Sequence, residues 1–181
     1  MSAAQPTTLT KSAIAAAALA LIDEEGLESF STRKLGARLG VEAMALYHHF
    51  PSKKLLGDWV AVSLRNQLPS PPADLGWRSW LGQAARGWRA MALAHPNAFP
   101  LLLAHSVREN DELFSAQCRV LADAGLGQQE AARTARIVSA FVTGAVQQEI
   151  ADPASGAGVF ERGLVMIFDG IARSLQRARD L

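Results

Sequence analysis

Cysteine is almost missing from this chain: Cys118 stands alone, so no intramolecular disulfide can form, and the pattern fits a reducing compartment. With Phe114 and Leu121 on its helical face, that thiol reads as a small core group rather than a redox centre. Excess charge is missing as well. Eighteen Lys and Arg oppose seventeen Asp and Glu, a net charge of +1, so affinity for an anionic partner must come from a local patch. Long hydrophobic runs are missing too. The run "AIAAAALALI", Ala13 to Ile22, falls far short of the roughly 20 residues that span a bilayer. It passes straight into Asp23-Glu24-Glu25, without the small-residue cleavage segment of a signal peptide. The expectation is a cytoplasmic protein that does not enter a membrane. Strand-like alternation of useful length is absent, which excludes a sheet-based fold.

What is present is helix. Ile14, Ala17, Ala18, Leu21 and Ile22 recur at helical spacing, with Thr10 placed to cap the start and Gly26 to end the helix. Ser31 opens a second, short helix that stops at Gly40, a third short element follows, and Ser52 opens a fourth carrying Leu55, Leu56, Trp59 and Val60. "LPSPPADLG", residues 68–76, is the clear linker, because its prolines forbid a continuous helix. Beyond it, Trp77, Leu81, Ala84, Trp88 and Met91 form one stripe stopped by His95-Pro96. Leu113, Phe114, Gln117, Cys118 and Leu121 form another, and two long helices close the chain, about 128–150 and 159–179. The fold class is therefore all-α in two parts, residues 1–67 and 68–181.

The stretch "STRKLGARLGVEAMALYHHF", residues 31–50, carries the most chemistry. Gly36 lies where two helices must cross closely, and Gly40 supplies the sharp turn. Leu35, Leu39, Val41 and Leu46 flank them as inward-facing groups. This is helix-turn-helix spacing. On that register Glu42, Ala43, Met44, Tyr47 and His48 face outward, and Met44 and Tyr47 fall off the apolar face a core hairpin would need. Between Ser31 and Lys54, five basic residues stand against Glu42 alone. An exposed thioether and ring beside that patch suit a DNA groove, where apolar groups meet thymine methyls.

From these residues, "STRKLGARLGVEAMALYHHFPSKKLLGDWV" resembles the DNA-binding segment of the tetracycline-repressor (TetR) family, and "AIAAAALALIDEEGLESFS" resembles that family's first helix. The likeness covers about residues 9–63, with L-Y-x-H-F-x-x-K as its specific element. It implies an N-terminal three-helix helix-turn-helix domain, with the fourth helix as connector, and a C-terminal bundle for ligand binding and dimerisation. Carried over by position, the resemblance makes Thr32 a phosphate contact and Arg33 a base or phosphate contact. Ala43, Met44 and Ala45 take the base-reading start of the third helix. Tyr47, His49 and Lys53 become phosphate contacts and His48 a groove-facing group. The chain departs from the family's polar choices at 43–45, which shifts readout onto Arg33, Tyr47 and His48.

In the second part the resemblance is looser, resting on helix count, "WRAMALAHPNAFPLLLA" and the two closing helices. It implies an apolar ligand cavity, for which the candidates are Trp59, Trp88, Met91, His95, Phe99, His105, Phe114, Cys118 and Phe141. His95 and His105 are the titratable groups set in apolar runs, although His95-Pro96 also serves as a plain helix stop. No HxxxH and no carboxylate pair lies near them, so no metal and no cofactor is expected. The last two helices are apolar over broad arcs and must be covered on both sides; Ala135, Gly144, Ala145 and Gly170 allow close approach, which agrees with a homodimer.

Three function classes are weighed. An enzyme lacks a nucleophile motif, a phosphate loop and a defensible acid/base pair. A ligand-responsive regulator, binding a palindromic double-stranded operator as a homodimer and released by a small apolar effector, accounts for both parts. A small-molecule-binding helical module with lost DNA reading is the alternative, kept alive by the apolar Ala43-Met44-Ala45.

Overall fold

Capping side chains set where the first helices begin. In the computed structural model, which describes residues 9–105 and 112–180, Thr10 Oγ1 accepts from the Ala13 amide at 3.1 Å and opens α1, Lys11–Glu25. Ser31 Oγ accepts from Lys34 N at 3.3 Å and opens α2, Thr32–Leu39. Ser52 Oγ accepts from Leu55 N at 3.1 Å and opens α4, Lys53–Arg65. Each bond satisfies an amide the first helical turn leaves unpaired. Between α2 and α4 lies α3, Ala43–Tyr47. Glycines at positive φ end α1 (Gly26, +84°) and α2 (Gly40, +68°), a backbone region costly for other residues.

The chain divides into two units: residues 1–67 with 95–105, and 68–94 with 106–181. The first unit therefore takes in a segment from beyond residue 67. After α5, Trp77–Ala94, the chain makes a single turn at Pro96–Ala98 and then α6, Phe99–His105, and this segment packs into the first unit against α1 and α4. The physical reason is local fit. A Cβ on Gly57 would lie 3.2 Å from Leu101 Cδ2, so the missing side chain on α4 lets α6 approach closely. Asn97 Nδ2 also donates to the Asp23 carbonyl at 2.9 Å. The core of this unit joins Ile14, Ala18 and Ile22 of α1, Leu35 of α2, Leu46 of α3, Leu56, Val60 and Leu64 of α4 and Leu102 of α6, all buried.

In the second unit α8, Gln128–Ala151, packs against α5, against α7, Glu112–Asp123, and against α9, Gly156–Arg179. Apolar burial supplies most of the stabilisation, roughly 1.5–3 kcal/mol for each fully buried large side chain. Leu81, Leu121, Phe160 and Leu164 are such residues. The Phe141 ring sits where a Cβ on Gly163 would be, 2.1 Å from the nearest ring carbon, so this glycine is what lets α8 and α9 meet. Ion pairs pin α5 to both long helices: Arg78 to Asp169 at 2.6 Å and Arg86 to Glu161 at 2.6 Å on α9, and Arg89 Nε to Glu149 at 2.7 Å on α8. No described helix is long and apolar enough to cross a membrane.

Candidate nucleic-acid interface

The turn between α2 and α3 is closed by contact. A Cβ on Gly36 would lie 2.8 Å from the Val41 carbonyl oxygen, a distance at which the backbone would have to shift. The absent side chain lets α3 lie across α2, with Leu35 and Leu46 buried between them. That packing leaves Met44 71% exposed and Tyr47 40% exposed. Glu42, Met44, Tyr47 and His48 are exposed together, with Ala43, Ala45 and His49 half-buried beside them. Thr32 Oγ1 and Tyr47 OH lie 3.4 Å apart, so the start of α2 and the end of α3 present hydroxyls side by side on one surface.

The basic patch is smaller than the sequence suggests. Lys34 Nζ pairs with Glu25 at 2.5 Å, and Arg38 makes two bonds to Glu24, at 2.5 and 2.7 Å. The Glu24 carboxyl is held below the ordinary carboxylate range, chiefly by the hydrogen bond from Arg38. Lys54 pairs with Asp58 one turn along α4 at 3.1 Å. Lys53 Nζ donates to the Phe30 carbonyl at 2.8 Å and lies over the Phe30 ring. Of the five basic residues between 31 and 54, Arg33 makes no hydrogen bond or ion pair among the described residues. The acidic run before α2 could have signalled this, because Lys34 and Arg38 are one helical turn apart and share a face.

A helix-turn-helix with an exposed arginine that has no partner among the described residues, two clustered hydroxyls and an exposed methionine is a surface for a polyanion. Comparison with known proteins agrees. Residues 14–56 match the family model "Bacterial regulatory proteins, tetR family", and residues 68–158 match "Tetracyclin repressor-like, C-terminal domain". The chain is 32% identical to the tetracycline repressor protein class A from transposon 1721 of Escherichia coli, over 96% of this chain and 93% of that protein. The chain belongs to the tetR family of bacterial regulatory proteins. Among solved structures of tetR-type regulators, similarity extends to a TetR variant from Acinetobacter baumannii AYE in complex with minocycline. There the TM-score is 0.78 at 28% identity, covering 95% of this chain and 99% of that one. BioQ with its double-stranded DNA operator gives a TM-score of 0.79 at 26% identity, covering 92% and 99%. The all-α class and the N-terminal helix-turn-helix expected from the sequence agree with these relatives, which are transcriptional regulators rather than enzymes.

The candidate ligand residues of this tetR-family chain fall into two groups. Trp59, His95, Phe99 and His105 belong to the first unit. Trp59 is edge-on to Phe50, centroids 5.9 Å apart, with Lys11 Nζ 5.4 Å above the indole. His95 Nδ1 lies 2.8 Å from Asp23 Oδ2, Phe99 is buried, and the His105 side chain lies outside the described residues. The second unit holds Trp88, buried; Met91, Phe114 and Cys118, half-buried; and Phe141, on Gly163 and beside Phe160. Burial pushes the Cys118 thiol up, with Arg136 opposing. Gln117, which sequence reasoning placed only in the helical stripe, is buried and accepts from Ser139 Oγ at 3.1 Å. No group of three His, Cys, Asp or Glu among the described residues is placed to hold a metal ion.

Proposed function

We propose that this tetR-family regulator is a homodimeric repressor that grips two half-sites of a palindromic operator and is released by a small, largely apolar effector bound in its second unit. The observation that carries the DNA part is the pair of hydroxyls, Thr32 and Tyr47, brought within 3.4 Å across the α2–α3 turn, with Arg33 and Met44 exposed on the same two helices. In this reading Arg33 contacts a base or phosphate, Thr32, Tyr47, His49 and Lys53 contact phosphates, His48 faces the groove, and Ala43, Met44 and Ala45 lie against base edges. The apolar start of α3 supports recognition through thymine methyls. Lys53 keeps two further N–H groups for a phosphate while it holds Phe30.

Support for the dimer is apolar surface on the closing helices. Ile137 on α8 is 60% exposed, and Val165 and Met166 on α9 are 53% and 65% exposed, more than a solvated face requires. Two heads are needed because operator half-sites recur about 34 Å apart. Release requires an effector that prefers an arrangement unsuited to that spacing; equal affinity for both would shift nothing. A ten-fold loss of DNA affinity takes only about 1.4 kcal/mol of differential binding. The route is α6, which follows the second unit's α5 in the chain, packs on α4, and so bears on the helix that starts at Lys53.

Gel-shift titration against DNA upstream of the protein's own gene, with light scattering of the free protein, tests this reading. Binding by a dimer, weakened by an apolar effector, is the expected result. Ligand binding with no retained DNA affinity would favour a small-molecule-binding module instead.

A further inference from the structure

We propose that the indole N–H of Trp88 is the hydrogen-bond donor of the effector site in the second unit, and that the effector is a neutral, largely apolar compound bearing a carbonyl-type oxygen. This rests on the effector reading above and narrows it to a chemical class. Two tryptophans of the second unit are buried, Trp80 at 2% and Trp88 at 7% exposure. Trp80 Nε1 donates to the Pro71 carbonyl at 3.2 Å. Trp88 Nε1 is also buried and has no hydrogen-bond partner among the described residues. Buried donors are nearly always satisfied, and one left unpaired asks for an acceptor supplied from outside the chain.

The surroundings fix the rest of the class. Ala84 and Ala92 stand one helical turn before and after Trp88 on the same buried face of α5, with Ala85 beside them. These neighbours offer methyl groups and no polar atom, so the rest of an effector seated beside the indole is apolar. Indole N–H donates and does not accept, so the matching group is an oxygen with lone pairs and not a hydroxyl acting as donor. The effector needs no charge, because the buried carboxylate of this unit, Glu149, is already paired with Arg89.

The test uses the full chain labelled with 15N-tryptophan and three matched pairs: acetophenone and ethylbenzene, α-tetralone and tetralin, fluorenone and fluorene. Each pair differs by a carbonyl against a methylene. At least one ketone is expected to bind roughly ten-fold more tightly than its hydrocarbon partner, the size of one recovered buried hydrogen bond. That ketone should also move the Trp88 indole N–H resonance downfield. Trp88→Phe loses the donor together with one of the two fused rings, so it should lower both affinities and erase the difference between ketone and hydrocarbon. Equal affinities within every pair that binds, or a preference that survives Trp88→Phe, overturn the Trp88 assignment and leave the effector reading standing. Failure of all six compounds to bind overturns the chemical class proposed here, while the effector reading stands or falls on the gel-shift titration. The resonance shift is read on the unsubstituted protein, so a folding defect in the variant would not hide the answer.

Discussion

His95 Nδ1 lies 2.8 Å from Asp23 Oδ2, joining the turn before α6 to the last turns of α1 within the first unit. Both side chains are about three-quarters buried, with exposures of 26% and 28%, and Asn97 bonds the Asp23 carbonyl beside them. The two residues are 72 positions apart, so the bond holds the returning segment on the DNA-binding head. His95→Ala and Asp23→Ala are each expected to lower stability, and the double variant to lose less than the two losses added. A coupling of about 0.5–1.5 kcal/mol is expected from one such hydrogen bond. Urea unfolding of the four proteins measures it; strict additivity would mean the contact contributes nothing.

Gly36→Ala sets two effects against each other. Alanine is favoured over glycine in a helix interior by about 1 kcal/mol. The new Cβ would meet the Val41 carbonyl at 2.8 Å, and displacing backbone costs typically 1–3 kcal/mol. The clash is expected to win, with a lower melting temperature and weaker operator binding. A variant as stable as the parent would refute the close crossing.

Arg33→Ala and Lys34→Ala remove the same charge from adjacent positions, yet they should behave differently on DNA. Arg33 has no hydrogen-bond or ion-pair partner among the described residues, whereas Lys34 is held by Glu25 at 2.5 Å. Losing one phosphate contact flattens the slope of log K against log salt by about 0.9. That change is expected for Arg33→Ala and Lys53→Ala and is expected to be much smaller for Lys34→Ala. Equal slopes for all three would remove the phosphate assignments.

Ile137→Glu with Met166→Glu should yield monomers by light scattering without unfolding, since both side chains are exposed in the single chain. Operator affinity should then fall steeply, because two half-sites can no longer be held by one particle. Undiminished binding by a demonstrated monomer would sink the dimer reading.

Acid should weaken the second unit through Glu149. Its carboxyl is held below the ordinary range, first by the hydrogen bond from Arg89, with burial opposing. A carboxylate lowered in this way stabilises the fold above its ordinary pKa of about 4.3 and loses that contribution as pH falls further. Glu149→Gln is expected to cost about 1–2 kcal/mol at neutral pH and to flatten the stability change between roughly pH 5 and 3. An unaltered acid profile would mean that other carboxylates carry it.

Local signals were legible in the sequence wherever one residue decides the outcome. Thr10, Ser31 and Ser52 cap helices because a short hydroxyl reaches the nearby amide whatever the rest of the chain does. Gly40 turns at positive φ for an equally local reason, and the spacing from Gly36 through Leu46 led to the helix-turn-helix and the family. What only the tertiary structure decided involves partners distant in sequence. The charge of Lys34 and Arg38 is spent on Glu25 and Glu24, whereas Arg33 has no such partner among the described residues. Residues 95–105 leave the part of the chain they are written in and join the first unit, so the residues expected to line one cavity are divided between two units. Composition makes Trp80 and Trp88 alike, and only packing gives one an acceptor and leaves the other without one among the described residues. Capping and turn energies depend on neighbours a few residues away, whereas pairing, burial and satisfaction depend on which distant atoms arrive, and no single stretch of sequence carries that.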